Sequence, residues 1–290
     1  MKHLFITGAT GNIGYEVTKH LSKSDLPHEI FVGVRDVGKA SALFKDFSNL
    51  NLRHFDFENP DTYSALSGMD RVFLLRPPHL SNIEKNFRPL LEYIKKSHIR
   101  DIVFLSVQGA EKSKVIPHNK IEQLIKDYGL NHIFLRPSYF MQNLTTTLLS
   151  DIQTKREIIL PAGSARFNWV DADNIGELGA LLLDQFEIYK NQALEITGYE
   201  NKNFQEVTHL INEIIRNPLR YRNINPFRFY RMKHQEGMPK GMIMVMILLH
   251  FLPRFQKEPE ISSIYERLTH KKPGDLGTFI RREKSKLDVL

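Results

Sequence analysis

The chain has 290 residues, 41% of them hydrophobic, enough to bury a full core in one large domain or a domain with an appended lobe. It contains no cysteine, so disulfides, thiolate nucleophiles and cysteine-ligated metals are excluded, and no metal site is expected. The net charge of +7 is C-terminal, since from Glu200 onward 17 Lys and Arg face 10 Asp and Glu; these cations are scattered among apolar residues without a nucleic-acid motif, so a solvated surface is expected and no direct nucleic-acid binding.

The first apolar run, Leu4-Phe5-Ile6, reads as a buried strand. No charged-then-apolar leader precedes it, which points to the cytoplasm. It is followed by Thr7-Gly8-Ala9-Thr10-Gly11-Asn12-Ile13-Gly14, and then Ile13, Val17 and Leu21 recur every four residues as the stripe of a helix packed by one face. Strand, glycine loop and helix in that order can seat a pyrophosphate on the unpaired N–H groups of the helix's first turn. Gly8 would make the turn, Gly11 would let the backbone approach the phosphates, and Gly14 would let the helix lie close. The spacing is G-x-x-G-x-x-G rather than the commoner G-x-G-x-x-G, and an ordinary strand-to-helix turn would use the same residues. A nucleoside triphosphate loop is excluded, because no Gly-Lys-Ser or Gly-Lys-Thr follows.

The second strand, residues 30–34, ends at Arg35. An acid at that place would accept from the ribose 2′-OH of NAD, whereas a guanidinium, with Lys39 as a second cation, suits the 2′-phosphate of NADP. Asp36 follows at once, so NAD stays possible. Further strands are expected at 52–55, 71–75, 102–106 and 132–136, alternating with helices at 39–47, 61–66, 83–97 and 118–128, the last capped by Gly129. That alternation predicts an α/β fold, a parallel sheet wound on both faces.

Beyond Arg136-Pro137 the rhythm changes. A helix is expected at 140–151, strands at 157–160 and 167–170, a helix at 173–183 and a strand near 193–197 returning to the sheet. Asn203 and Glu206 form a capping box for a helix at 204–215, and Pro226 opens a helix that Gly237 and Pro239 close. The apolar run from Met242 to Leu249 is too short to span a bilayer and reads as a buried helix or a methionine-lined pocket wall, so no membrane partner is expected. The domain division is a dinucleotide-binding core over 1–155 and a mostly helical C-terminal lobe over 156–290.

Taken together, the glycine loop, Val34-Arg35-Asp36, Val72-Phe73-Leu74-Leu75, Ile102-Val103-Phe104-Leu105-Ser106, Pro117-His118, Leu135-Arg136-Pro137-Ser138-Tyr139-Phe140-Met141-Gln142-Asn143 and Val170-Asp171-Ala172-Asp173-Asn174-Ile175 resemble the NmrA-like proteins, a branch of the atypical short-chain dehydrogenase/reductases. The resemblance implies a Rossmann-type NAD(P)-binding core with a small lobe over the nicotinamide end. It implies that Gly8, Thr10, Gly11, Asn12 and Ile13 hold the pyrophosphate and Arg35 the 2′-phosphate. Asp56 and Phe57 would lie on the adenine side, Leu75 and Arg76 beside the adenosine ribose, and Pro137, Ser138 and Tyr139 near the nicotinamide. Some such proteins reduce quinones or azo dyes; others resemble redox sensors that bind dinucleotide and recruit a protein partner without turnover.

The sequence departs from ordinary short-chain dehydrogenases in one respect. They protonate substrate with a tyrosine four residues before a lysine, but here Lys120 is preceded at that spacing by Ile116, and no tyrosine stands between Tyr93 and Tyr128. His118 falls where some atypical relatives carry an active-site lysine or histidine, and could donate a hydrogen bond to a substrate oxygen; it also suits the mere start of a helix. Reducing a ketone develops a strongly basic alkoxide, while reducing a quinone develops a phenolate whose conjugate acid has a pKa of roughly 10, which water can protonate. The expectation is therefore an NADPH-dependent reductase of a quinone-like small-molecule acceptor, or else a non-catalytic dinucleotide-binding regulator.

Overall fold

The computed structural model describes residues 1–114 and 116–288. The apolar runs form seven parallel strands: β1 (His3–Ile6), β2 (Glu29–Val34), β3 (Leu50–His54), β4 (Arg71–Leu75), β5 (Asp101–Leu105), β6 (Asn131–Pro137) and β7 (Gln192–Ile196). Their order is β7-β6-β5-β4-β1-β2-β3, so the sheet grows outward in both directions from the β1–β4 pair. Leu4, Phe5, Ile6, Val72, Phe73, Leu74, Ile102, Val103 and Phe104 are wholly buried, which explains why these strands read as continuous apolar runs rather than alternating ones.

Helices α1 (Asn12–Ser22), α2 (Val37–Leu43), α3 (Arg88–Lys96), α4 (Pro117–Asp127) and α5 (Ala172–Asp184) belong with this sheet. Two glycines let α5 lie directly on α1. A Cβ at Gly176 would stand 2.4 Å from Glu16 Cβ, and one at Gly179 would stand 3.0 Å from Val17 Cγ2. At the far end of α5, buried Arg71 donates to the carbonyls of Leu183 (2.7 Å) and Asp184 (2.9 Å), terminal groups that no helical N–H can reach.

By its internal contacts the chain forms two compact units. The first is residues 1–137, 172–196 and 267–270; the second is 138–171, 197–266 and 271–290. In the second, three strands (Asn201–Lys202, Phe167–Val170, Tyr139–Phe140) form one small sheet and two (Arg220–Asn223, Glu157–Leu160) another. Its core gathers Trp169, Phe204, Phe229 and Phe279 around buried Tyr139, whose hydroxyl lies 2.9 Å from His250 Nε2. Its longer helices are α6 (Phe204–Asn212), with the reciprocal Asn203–Glu206 capping box in place, α7 (Pro226–Gln235) and α8 (Lys240–Phe251).

Three local expectations are corrected. The helix expected over 140–151 is instead a strand at Tyr139–Phe140, a 3-10 turn at Met141–Thr145 and a helix at Leu149–Lys155, because Tyr139 and Phe140 pair with Trp169 and Val170. The segment 83–97 is broken at Phe87 into Ile83–Asn86 and α3, with Pro89 in the first turn of the second piece. And α8 is not a buried helix: Ile243, Met246, Ile247 and His250 are buried, while Met242, Met244, Val245, Leu248 and Leu249 are exposed.

Candidate functional site

The glycine loop leaves β1 where the order of the sheet reverses, the place where open α/β sheets hold ligands. Buried Thr7 ties the two strand ends together: its hydroxyl donates to the Phe73 carbonyl and accepts from the Leu75 N–H, both at 3.0 Å. Gly8 then turns with φ +57°, and a side chain there would stand 2.6 Å from Leu75 Cδ1. Gly14 is the point of closest approach, since its Cβ would fall 2.3 Å from the Gly8 carbonyl oxygen. Gly11 precedes α1 and offers no side-chain cap, and the first turn carries no acid. Thr10, Gly11 and Asn12 are exposed while Ile13 is buried; the Gly11 N–H closes the turn on the Gly8 carbonyl (3.0 Å), so the loop presents its exposed face at the start of α1 over an apolar anchor. An anion is the complement of such a terminus.

The other predicted positions of the first unit follow the ends of neighbouring strands. Arg35 is exposed after β2 with no carboxylate partner among the described residues. Asp36 is occupied locally: it caps α2 by accepting from the Lys39 N–H (3.0 Å) and lies 3.5 Å from Lys39 Nζ. Asp36 thus serves the helix, while the Arg35 guanidinium has no ion-pair partner among the described residues. Asp56 follows β3 and caps the next turn through the Glu58 N–H, with Phe57 in the apolar core.

Leu75 closes β4, and Arg76 is held by the carbonyls of Pro77, Pro78 and Leu80 at 2.8–3.1 Å, with its Nε unpartnered. His118 is half-buried on the first turn of α4, its ring 6.2 Å from that of Phe104. Burial, helped by the Arg76 charge, pushes its pKa down to about 3. The imidazole is thus neutral near neutral pH and has a single N–H to donate.

Of the three residues matched to the nicotinamide end, Pro137 closes β6 in the first unit. Ser138 and Tyr139 belong to the second. Ser138 donates to Asn168 Oδ1 at 2.7 Å, and the Tyr139 side chain is committed to the core described above.

Two clusters escaped the reading of the sequence. Arg136 on β6 makes a buried two-pronged pair with Glu122 (2.9 and 2.7 Å), Glu122 also accepts from Ser106 (2.6 Å), and Arg136 reaches Glu111 (2.7 Å). Glu122 lies one turn after His118 on α4, so this network fixes the rotation of the helix that carries the histidine. A recess of about 1060 Å³ opens beside it, lined by residues including Asn82, Glu111, Lys120 and Arg136. Neither Gly8, Arg35 nor His118 lines that recess, so its size does not make it the dinucleotide site. The second cluster joins Glu16, Lys19 and His20 of α1 to Asp173 of α5. The His20 bond, with Lys19, holds Asp173 well below the usual carboxylate range, while burial raises Glu16. Lys19 supplies the positive charge that a metal would otherwise bring to these carboxylates. Glu16 and Lys19 look solvent-facing by helical periodicity, and only the return of α5 after residue 171 encloses them.

The sheet order, the glycine turn and the bare helix terminus define a Rossmann-type fold. The chain belongs to the NmrA-like family, whose description matches residues 1–276. It is 31% identical over 235 residues to prestalk A differentiation protein A of Dictyostelium discoideum, covering 81% of this chain and 76% of that protein. It is 26% identical over 254 residues to an NAD(P)H azoreductase of Xenophilus azovorans, 86% of each chain. The crystal structure of an NADPH-dependent quinone oxidoreductase from Escherichia coli in complex with NADPH superposes with a TM-score of 0.84 at 18% identity, over 96% of this chain and 99% of that one.

Proposed function

We propose that this protein is an NADPH-dependent reductase that delivers hydride to a quinone-like or other conjugated acceptor. The observation that carries this reading is the α1 terminus: a tight turn in which a Cβ at Gly8 would meet Leu75 and one at Gly14 the Gly8 carbonyl, leading into an exposed helix start with no side-chain cap. Thr10, Gly11, Asn12 and Ile13 would hold the pyrophosphate, Arg35 with Lys39 the 2′-phosphate, Asp56 and Phe57 the adenine side, and Leu75 and Arg76 the ribose. The family membership and the azoreductase relative support the same reading. Bound NADPH would supply the hydride.

The protein's own contribution is to bind and orient. A neutral His118 can donate one hydrogen bond to an acceptor oxygen but, with its pKa near 3, it is no imidazolium acid at neutral pH. With Ile116 in the place of the usual tyrosine, the proton comes from solvent, and one hydride plus that one proton convert a quinone to a hydroquinone. This suits acceptors whose reduced oxygen is a phenolate and disfavours simple ketones.

The test is loss of nicotinamide absorbance with purified protein, NADPH and a panel of quinones, azo dyes and ketones. Quinone turnover should exceed ketone turnover, with a flat rate between about pH 6 and 8, where neutral His118 does not titrate. His118→Ala should lower kcat/KM by roughly tenfold, the weak end of what a placed donor contributes. NADPH binding without turnover of any panel member would sink the enzyme reading and leave the dinucleotide-dependent regulator.

A further inference from the structure

Helix α8 is apolar on every side, yet it is only half covered. Around its axis Ile243, Met246, Ile247 and His250 form the buried arc, while Met242, Met244, Val245, Leu248, Leu249 and, just beyond its end, Leu252 form an opposite arc in solvent that contains no polar side chain. Two phenyl rings in the same segment are also bare, Phe227 at 71% and Phe255 at 74% exposure. An exposed apolar surface of this extent marks an interaction site.

The charges around it indicate what it meets. Between residues 220 and 257 stand eight Lys and Arg and a single acid, Glu236, which is already bonded to Lys155 and Lys233. Lys240 begins α8, Arg254 and Lys257 follow its end, and Arg228 and Arg231 lie on the neighbouring helix; all five are exposed and none has a carboxylate partner among the described residues. A second copy of the chain would bring this cationic rim against itself. An acidic helix would need a groove, whereas the bare surface is the outer side of one cylinder. An anionic bilayer matches both features: aliphatic side chains enter the acyl boundary, and the cations at the helix ends reach lipid phosphates, their stems lying along the apolar surface.

We propose that the outer face of α8 docks this protein onto anionic lipid surfaces. At 12 residues the helix is too short to span a bilayer, and no helix among the described residues is long and apolar enough to do so. Lying in the interface needs no such length. The expectation of no membrane partner rested on spanning alone.

The test is sedimentation of the full chain with vesicles of phosphatidylcholine alone and of phosphatidylcholine with about 30 mol % phosphatidylserine. The parent should partition onto the anionic vesicles at least about tenfold more strongly than onto the neutral ones, and less so as salt rises. The pair Val245→Glu and Leu248→Glu should lower that binding by about tenfold or more. Arg254→Ala with Lys257→Ala leaves the apolar face intact and should remove most of the preference for phosphatidylserine. Equal binding to both vesicles, or no loss in either variant, overturns the proposal. So does a parent dimer, by light scattering, that Val245→Glu converts to monomer without vesicle binding, or capture of an acidic amphipathic peptide in place of vesicles.

Discussion

Helices α1 and α8 are of similar length, and each buries one face on its own unit, but they treat the opposite face differently. The far side of α1 is closed by α5 so tightly that glycine is the only residue that fits at 176, and charged Glu16 and Lys19 are enclosed as an ion-pair cluster. The far side of α8 is aliphatic and meets nothing within its unit. Polarity of sequence is thus a poor guide to burial here: the helix with charges on its outer side is the one that is covered. The comparison teaches that each side of a helix is fixed by what returns to it later in the chain.

The contrast can be broken most severely at the glycine loop. Gly14→Ala should cost about 3 kcal/mol and abolish dinucleotide binding, because its methyl group would meet the Gly8 backbone, which cannot move without opening the turn; chemical denaturation and NADPH titration read both effects. Normal stability and normal binding in that variant would mean that the turn does not hold the cofactor.

Within the second unit the prediction concerns acid. His250 Nδ1 lies 2.7 Å from the Met246 carbonyl, which can only accept, so Nδ1 carries a proton, and in the neutral ring Nε2 accepts from the Tyr139 hydroxyl. Burial holds its pKa at about 4, below the unfolded value near 6.5. A depressed pKa contributes stability that is present above the unfolded value and lost as pH falls toward the folded one. The loss between pH 7 and pH 4 should be on the order of 3 kcal/mol from this residue, and His250→Gln should flatten that part of the profile. A parent and variant whose stabilities fall in parallel would count against it.

Arg35→Ala should weaken NADPH by about tenfold while leaving NADH nearly unchanged, as expected of one lost charge-assisted bond. Equal affinity of the parent for both cofactors would remove the assigned role of Arg35. The smallest effect belongs to the bare face of α8, where Val245→Ser should shift stability by no more than about 0.5 kcal/mol, since no packing is lost. A large loss there would show that the face is covered after all.

Much of the fold was legible because its signals are local. Continuous apolar runs announced the parallel strands, Asn203 and Glu206 announced their cap, and Gly129 and Gly237, with φ of +66° and +82°, end helices where expected. The glycine loop was legible because Gly8 and Gly14 answer to steric demands that other residues cannot meet. What stayed hidden depends on partners far along the chain. Phe140 lies in a strand only because Val170 pairs with it, Glu122 needs Arg136 to be tolerated in the interior, and the methionine run looked like core because composition cannot say which face is missing a neighbour.

The latch that Arg71 forms with the end of α5 has a bearing on how the protein is made. The first unit is discontinuous in sequence: α5 and β7 reach it only after residue 171, with a stretch of the second unit already synthesised in between. At translation rates of roughly 5–20 residues per second, the strand ends around Thr7 wait on the order of ten to forty seconds with one helical face and one sheet edge still open. The nascent chain therefore passes through a stage at which its glycine loop is complete in sequence but unsupported, and the last piece of that support arrives from the ribosome rather than from any rearrangement of what is already folded.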